Sequence, residues 1–256
     1  MKNGLSAKAG SLCNSGKGGI MAGQRNYQKE LDRLTESLER EGKKPRLFLH
    51  SCCAPCSSYV LEYLSRYFSV TVFYYNPNIS PEEEYRKRVE EQKRLIRAFS
   101  SEIDGAQIDF REGIYDPETF YAMAKGLEDV PEGKERCFQC YELRLREAAS
   151  LAKAGDYDYF CTTLSISPMK NAEKLMEIGE RLAEEYGVSY LPSNFKKKNG
   201  YKRSVELSAQ YGLYRQDYCG CVFSRRESEA RRRERERIEK STEAGLKSLY
   251  TGEEKR

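Results

Sequence analysis

The stretch RLFLHSCCAPCSSYVLEYLSRY, residues 46–67, decides how this chain folds. RLFLH (46–50) is a short apolar run after Pro45 and reads as a first core strand. Three cysteines follow, and then Val60, Leu61 and Leu64 recur at helical spacing, so the strand turns into a helix at the cysteines. The same alternation continues downstream. SVTVFYYNPNI (69–79) is rich in β-branched and aromatic residues and reads as strand two. Ser80, followed by Pro81 and three glutamates, reads as an N-cap with Pro at N1 and acids on the dipole, opening a helix to about residue 99. AQIDF (106–110) reads as strand three, DPETFYAMAKG (116–126) as a capped helix, and residues 127–136 as a polar loop. A long helix is expected over 137–154, strand four in DYDYFCTTL (156–164), a helix over 168–187 and strand five in VSYLP (188–192). Upstream, Leu31, Leu34 and Leu38 mark an amphipathic entry helix in 26–41. Alternating β and α segments predict the α/β class: a parallel sheet flanked by helices, with right-handed crossovers and ligands outside the carboxyl ends of the strands.

Beyond the sheet, residues 193–225 are basic, Tyr-rich and less regular, and ESEARRRERERIEK (227–240) alternates charge like a solvated helix. Residues 1–24 are Gly/Ser/Lys-rich with no apolar run resembling a signal peptide. The expected division is a disordered extension over 1–24 (with Met21 near the true start), one α/β catalytic domain over 25–230, and a charged, basic and mostly helical tail over 231–256.

A chain of 256 residues buries enough surface to be stable without disulfides or metals. Its formal charge of +4 is too small to identify a nucleic-acid partner, and no window approaches the ~20 apolar residues of a membrane span. Nine cysteines without a signal peptide indicate a cytoplasmic protein whose thiols bind metal or do redox chemistry. His50 is the single histidine, which excludes Cys2His2 zinc, the two-His facial triad and HExxH. Thiolates must do most of the ligating, so the metal is zinc or iron–sulfur.

Three cysteine groups carry the chemistry. Cys52, Cys53 and Cys56 sit where strand one ends and a helix begins, and helix N-terminal amides favour thiolates. The plainer reading, buried cysteines acting as small hydrophobes, suits three clustered at one strand end poorly. Cys137 and Cys140 form a CxxC at a helix start, which is a redox dithiol or half of a metal site. Cys219-Gly-Cys221 is a redox dithiol, a further ligand pair, or without a role. Cys161 lies in a buried strand pattern and Cys13 has no partner motif. After strand four, Thr162 to Asn171 brings hydroxyls and Lys170 to a helix start, suited to an anion or to simple capping. The run from Lys196 to Arg203, with Lys197, Tyr201, Lys202 and Arg203, offers cations and an aromatic ring to RNA, or is a solvated loop.

Taken together, LHSCCAPC (49–56), FYYNPNISPEEEYRKR (73–88), ERCFQCYELRL (135–145), FCTTLSISPMKN (160–171) and YRQDYCGCVFS (214–224) resemble the QueH-type epoxyqueuosine reductases. The resemblance spans about residues 45–230. It implies a HUP-like (Rossmann-like) sheet, a [4Fe–4S] cluster, and reduction of epoxyqueuosine to queuosine at the tRNA wobble position. Carried over by motif, Cys52, Cys53, Cys137 and Cys140 are the cluster ligands, and Cys219 and Cys221 the redox-active pair. Cys56 stands where some members have Asp, and it reaches either a second metal ion or the open edge of the cluster.

Such a reaction needs two electrons and two protons. No flavin or nicotinamide fingerprint is visible, so an external donor of ferredoxin or flavodoxin type is expected. Asp217, Tyr218, Cys56 and His50 are the candidate proton donors, and Lys170 with Lys197, Tyr201, Lys202 and Arg203 the candidate substrate contacts. Two other readings compete. PP-loop enzymes that modify tRNA with ATP share this kind of sheet, but carry SGGxDS where this chain has SCCAPCS. A zinc-stabilised RNA-binding module would be colourless and leave epoxyqueuosine unchanged.

Overall fold

Five strands line up in parallel in a computed structural model that describes residues 25–251 apart from Asp104, with side chains to residue 243. The expected extension over 1–24, Cys13 and residues 252–256 lie outside the described residues. The strands are β1 (Arg46–His50), β2 (Ser69–Tyr74), β3 (Ile108–Glu112), β4 (Tyr159–Thr162) and β5 (Ser189–Tyr190). Their spatial order is β3-β2-β1-β4-β5, so the winding reverses between β1 and β4. His50 at the end of β1 pairs with Thr162 at the end of β4, and with Phe73 of β2. A crevice opens outside the sheet at that reversal, where β1 delivers the first three cysteines.

Alternation along each strand divides the core into two layers. Leu47 and Leu49 of β1 and Val70 and Val72 of β2 face α1 (Tyr27–Glu41), α2 (Ala54–Leu64) and α3 (Glu82–Glu102). Phe48, Phe73 and Phe160 face the opposite way, toward α5 (Glu135–Ala154) and α6 (Ala172–Tyr186). β1, β2 and β4 are buried on both faces and read as nearly continuous apolar runs, whereas β3 at the sheet edge alternates. Between α3 and α5 in sequence, α4 (Pro117–Ala124) is capped by the Asp116 carboxylate, and its Phe120 and Ala124 cluster with Cys140, Cys221 and Phe223.

Four boundaries differ from the sequence expectation. Ser80 is not the cap of α3: Pro81 holds that place, and the Ser80 N–H donates instead to the Gly220 carbonyl at 3.0 Å. The helix expected from residue 168 starts at Ala172, where the Asn171 side chain accepts the Lys174 N–H, after a 3-10 turn over Thr163–Ile166. Strand five shrinks to two residues. The irregular basic segment contains α7 (Gly200–Gln210), whose buried face is Gly200, Ser204, Leu207 and Ser208; small polar residues leave no apolar stripe to read. The charged run does form a helix, α8 (Val222–Thr251), exposed on all sides from Arg231 to Glu243. Among the described residues no helix is long and apolar enough to cross a membrane.

Candidate active site

The loop from β1 to α2 is held by side chains that sequence reading did not single out. Gln92 of α3 accepts hydrogen bonds from Ser51 and Ser57, whose hydroxyls lie 2.6 Å apart, and Asn76 donates to the Ser51 carbonyl at 2.8 Å. Cys53 caps α2 in an extended conformation, and the Cys52 N–H donates to the Thr163 hydroxyl at 3.3 Å across the β1/β4 crevice. Cys52, Cys53 and Cys56 thereby converge: among the described residues they alone bring three thiol, imidazole or carboxylate donor atoms within 4.8 Å of one another. Hydrogen bonds from Cys52 and Cys56, with the Arg88 charge nearby, push the Cys53 thiol well below its ordinary range. The two donors move the other way, Cys52 to about 12. Three sulfurs this close suit a thiophilic cation, whose binding displaces their protons.

Cys137 and Cys140 occupy the first turns of α5, and Cys219 and Cys221 the loop before α8. All four line one space, together with Asn78, Tyr141, Arg144 and Lys170. Burial pushes the Cys140 thiol up to about 12 and raises Cys137 and Cys221, while the Gly133 N–H reaches the Cys137 sulfur at 3.2 Å. The loop is pinned from α3, since Arg88 donates to the Cys219 carbonyl at 3.0 Å. Gly220 has φ +126°, which only glycine adopts freely, and a Cβ there would lie 2.8 Å from Ile79.

Charge at this space is lopsided. Arg144 is fully buried, donates Nε to the Cys140 carbonyl and one terminal nitrogen to Asn76, and leaves the other, Nη2, without a partner. The Tyr141 hydroxyl and Asn78 Oδ1 are likewise buried and unpartnered. A buried guanidinium among neutral thiols is costly, and thiolates in their place would relieve it. The donor set therefore fits an anionic metal–thiolate centre: four soft ligands with a fixed cation beside them.

An open cleft of about 370 Å³ lies alongside, lined by Cys52, Cys53, Cys56, Leu164, Met169, Tyr201, Arg215, Asp217, Tyr218 and Arg231. Cys219, Lys170 and Glu132 line both spaces, so they form the wall between them. Lys170 and Glu132 are paired at 3.1 Å and nearly fully buried. Burial opposes the Lys170 ammonium, but Cys219, Tyr141 and Glu132 outweigh it and keep it charged.

Cys52 and Cys53 stand with Cys56, Cys137 and Cys140 line the neighbouring space with Cys221, and Cys219 lines both; Cys52 and Cys137 pack against the same part of the core. Lys170 and Tyr201 reach the cleft, but Lys197, Lys202 and Arg203 are not among its lining residues. Arg203 is tied to Glu62 at 2.6 Å, and Lys196 donates to the Lys170 carbonyl. Among the candidate proton donors, Asp217, Tyr218 and Cys56 line the cleft. His50 does not. It is fully buried, its Nε2–H donates to the Tyr75 carbonyl and its Nδ1 accepts from Thr162, and burial pushes its pKa down to about 3. Cys161 is buried in β4, as its strand pattern indicates. Arg88, Arg144 and Glu132 escaped sequence reading because nothing in a single chain marks which of its many charged residues are buried.

Residues 47–227 match the model of the family described as epoxyqueuosine reductase QueH. Epoxyqueuosine reductase QueH of Staphylococcus epidermidis is 44% identical over 78% of this chain and 84% of its own length. Its namesakes from Streptococcus pyogenes and Thermotoga maritima are 40% and 38% identical, over 78% and 94% of their own lengths. The chain belongs to the QueH family. It is an oxidoreductase, and the matched span contains all seven thiols of the two spaces as well as the wall between them. Membership sets aside both the ATP-dependent and the non-enzymatic readings.

Proposed function

We propose that this protein reduces epoxyqueuosine to queuosine at the wobble position (34) of tRNA, the last step of queuosine biosynthesis, in the cytoplasm. Family membership supports the activity. The observation that carries the chemistry is the convergence of seven thiols from three chain segments beside one open cleft. Taking the oxygen from an epoxide to leave an alkene consumes two electrons and two protons and releases water. Cys52, Cys53, Cys137 and Cys140 would hold a [4Fe–4S] cluster, Cys56 would reach a second metal ion or the open edge of the cluster, and Cys219 and Cys221 would be the redox-active pair. When bound, the cluster supplies electrons one at a time from a ferredoxin- or flavodoxin-like donor, and the ion supplies a Lewis acid for the epoxide oxygen.

The chain's own residues do the rest. Arg144 balances thiolate charge from within the core. Lys170 and Glu132 divide the electron-supplying space from the cleft. Tyr218 places an exchangeable proton on the cleft wall, where the departing oxygen needs one, and Asp217 lines the same wall. Anaerobic incubation of the iron-reconstituted protein with tRNA carrying epoxyqueuosine and a reductant, followed by nucleoside mass spectrometry, tests the reading. Queuosine is the expected product; unchanged epoxyqueuosine with a fully loaded protein would overturn it.

A further inference from the structure

Apolar and cationic side chains line the cleft together. Met169 is 59% exposed and Tyr201 40% exposed, although both line the cleft. Tyr201 stands in the first turn of α7, and among the described residues its ring has no aromatic or cationic partner. Scattered exposed apolar side chains are ordinary, but two that line one cleft form a surface open to a ligand. Beside α7, Arg215 has no carboxylate partner among the described residues and spends one nitrogen on the Ser204 carbonyl and the Ser208 hydroxyl, at 3.4 and 3.0 Å. Arg231 is held loosely, 3.8 Å from both Glu132 and Glu227. A flat apolar ring beside available guanidinium groups is the chemistry that takes a nucleobase and its phosphates.

We propose that Tyr201 and Met169 form a stacking lip that grips the extruded nucleobase whose epoxide reaches the thiols, with Arg215 and Arg231 facing the adjoining phosphates. This rests on the tRNA reading above and names the residues that position its substrate. Tyr201 and Met169 are positioning residues: they touch the base and not the reacting bond.

The chain contains no tryptophan, so Tyr201→Trp places its only indole on the lip. In the metal-reconstituted protein, emission from that indole is expected to be quenched by tRNA carrying epoxyqueuosine and not by a duplex RNA without a loop. Tyr201→Ala is expected to raise KM for tRNA about 10-fold while kcat stays within about twofold, the loss of one base–aromatic stack. Met169→Ala should raise KM less, and Tyr201→Phe should behave as wild type. If wild type converts the tRNA while the indole does not respond and Tyr201→Ala keeps its KM, the lip is overturned and the reductase reading stands. If wild type converts nothing while tRNA still quenches the indole, the lip stands and the reductase reading falls. A rise in KM for the electron donor alone would mean that the lip seats a protein, which also overturns the proposal.

Discussion

Individual residues at this site do work that their types do not advertise. His50 looks like a catalytic group and is a structural one: both nitrogens are spent on Thr162 and Tyr75, and burial keeps the ring neutral. Its folded pKa of about 3 lies below the ordinary 6.5, so below 6.5 the unfolded chain binds a proton that the folded chain refuses. Stability is therefore expected to fall as pH drops through that window, by roughly 2 kcal/mol from this group between pH 6.5 and about pH 5. Urea unfolding of wild type and His50→Gln in the same metal-loading state checks this. The variant should be less stable at neutral pH, and it should lose less on acidification; equal pH slopes would refute the assignment. The thiol grouping is tested in the same way. Cys52→Ala and Cys137→Ala should both lose the brown absorbance of the cluster at about 400 nm, whereas Cys219→Ala keeps it and loses turnover. A colourless, iron-depleted Cys219→Ala protein would instead make Cys219 a cluster ligand. Replacing Arg144 by Met should impair cluster retention, seen as faster iron loss to a chelator, because the thiolates lose their buried counter-charge.

At the level of elements, helix starts do the positioning. The N-terminus of α2 presents the first cysteine group, that of α5 the second, and α3 reaches across with Arg88 to fix the loop that carries the third. The loop before α5 is itself gathered by buried Arg136, which donates to the Leu127, Glu128 and Val130 carbonyls and pairs with Glu227 of α8. Docking of α7 on α2 depends on Gly200, where a Cβ would come 2.0 Å from the Phe195 carbonyl and 2.5 Å from the Tyr59 ring. Gly200→Ala must push α7 outward, at a cost of about 1–3 kcal/mol. Because Tyr201 is the next residue, the same variant should also weaken tRNA binding, measured by filter binding alongside thermal unfolding. Wild-type affinity in Gly200→Ala would show that α7 does not position the cleft mouth.

For the whole molecule, burial is concentrated in the two layers around the sheet, and residues 231–243 of α8 contribute none of it. Ile238→Ala, on this exposed stretch, should therefore leave the unfolding free energy within about 0.5 kcal/mol of wild type, the range of exposed changes. A larger loss in a denaturant titration would mean that the tail packs in solution. The sequence by itself determined the sheet class, because strand and helix periods alternate from Leu47 onward and local pattern sets local structure. It also determined that the candidate ligands are thiols, because His50 is the single histidine and cysteines cluster at three helix or loop starts. Local pattern blurred where small polar residues pack, as in α7, and where a distant backbone competes for a cap, as Gly220 does for Ser80. What only the tertiary structure decided is which thiols are neighbours, that Arg88, Arg144 and Lys170 are buried charges beside them, and that Tyr201 faces the cleft while Arg203 turns to Glu62. Those are relations between residues tens of positions apart in sequence. They are set by strand order and by how the helices pack across the sheet, which no single stretch of chain encodes.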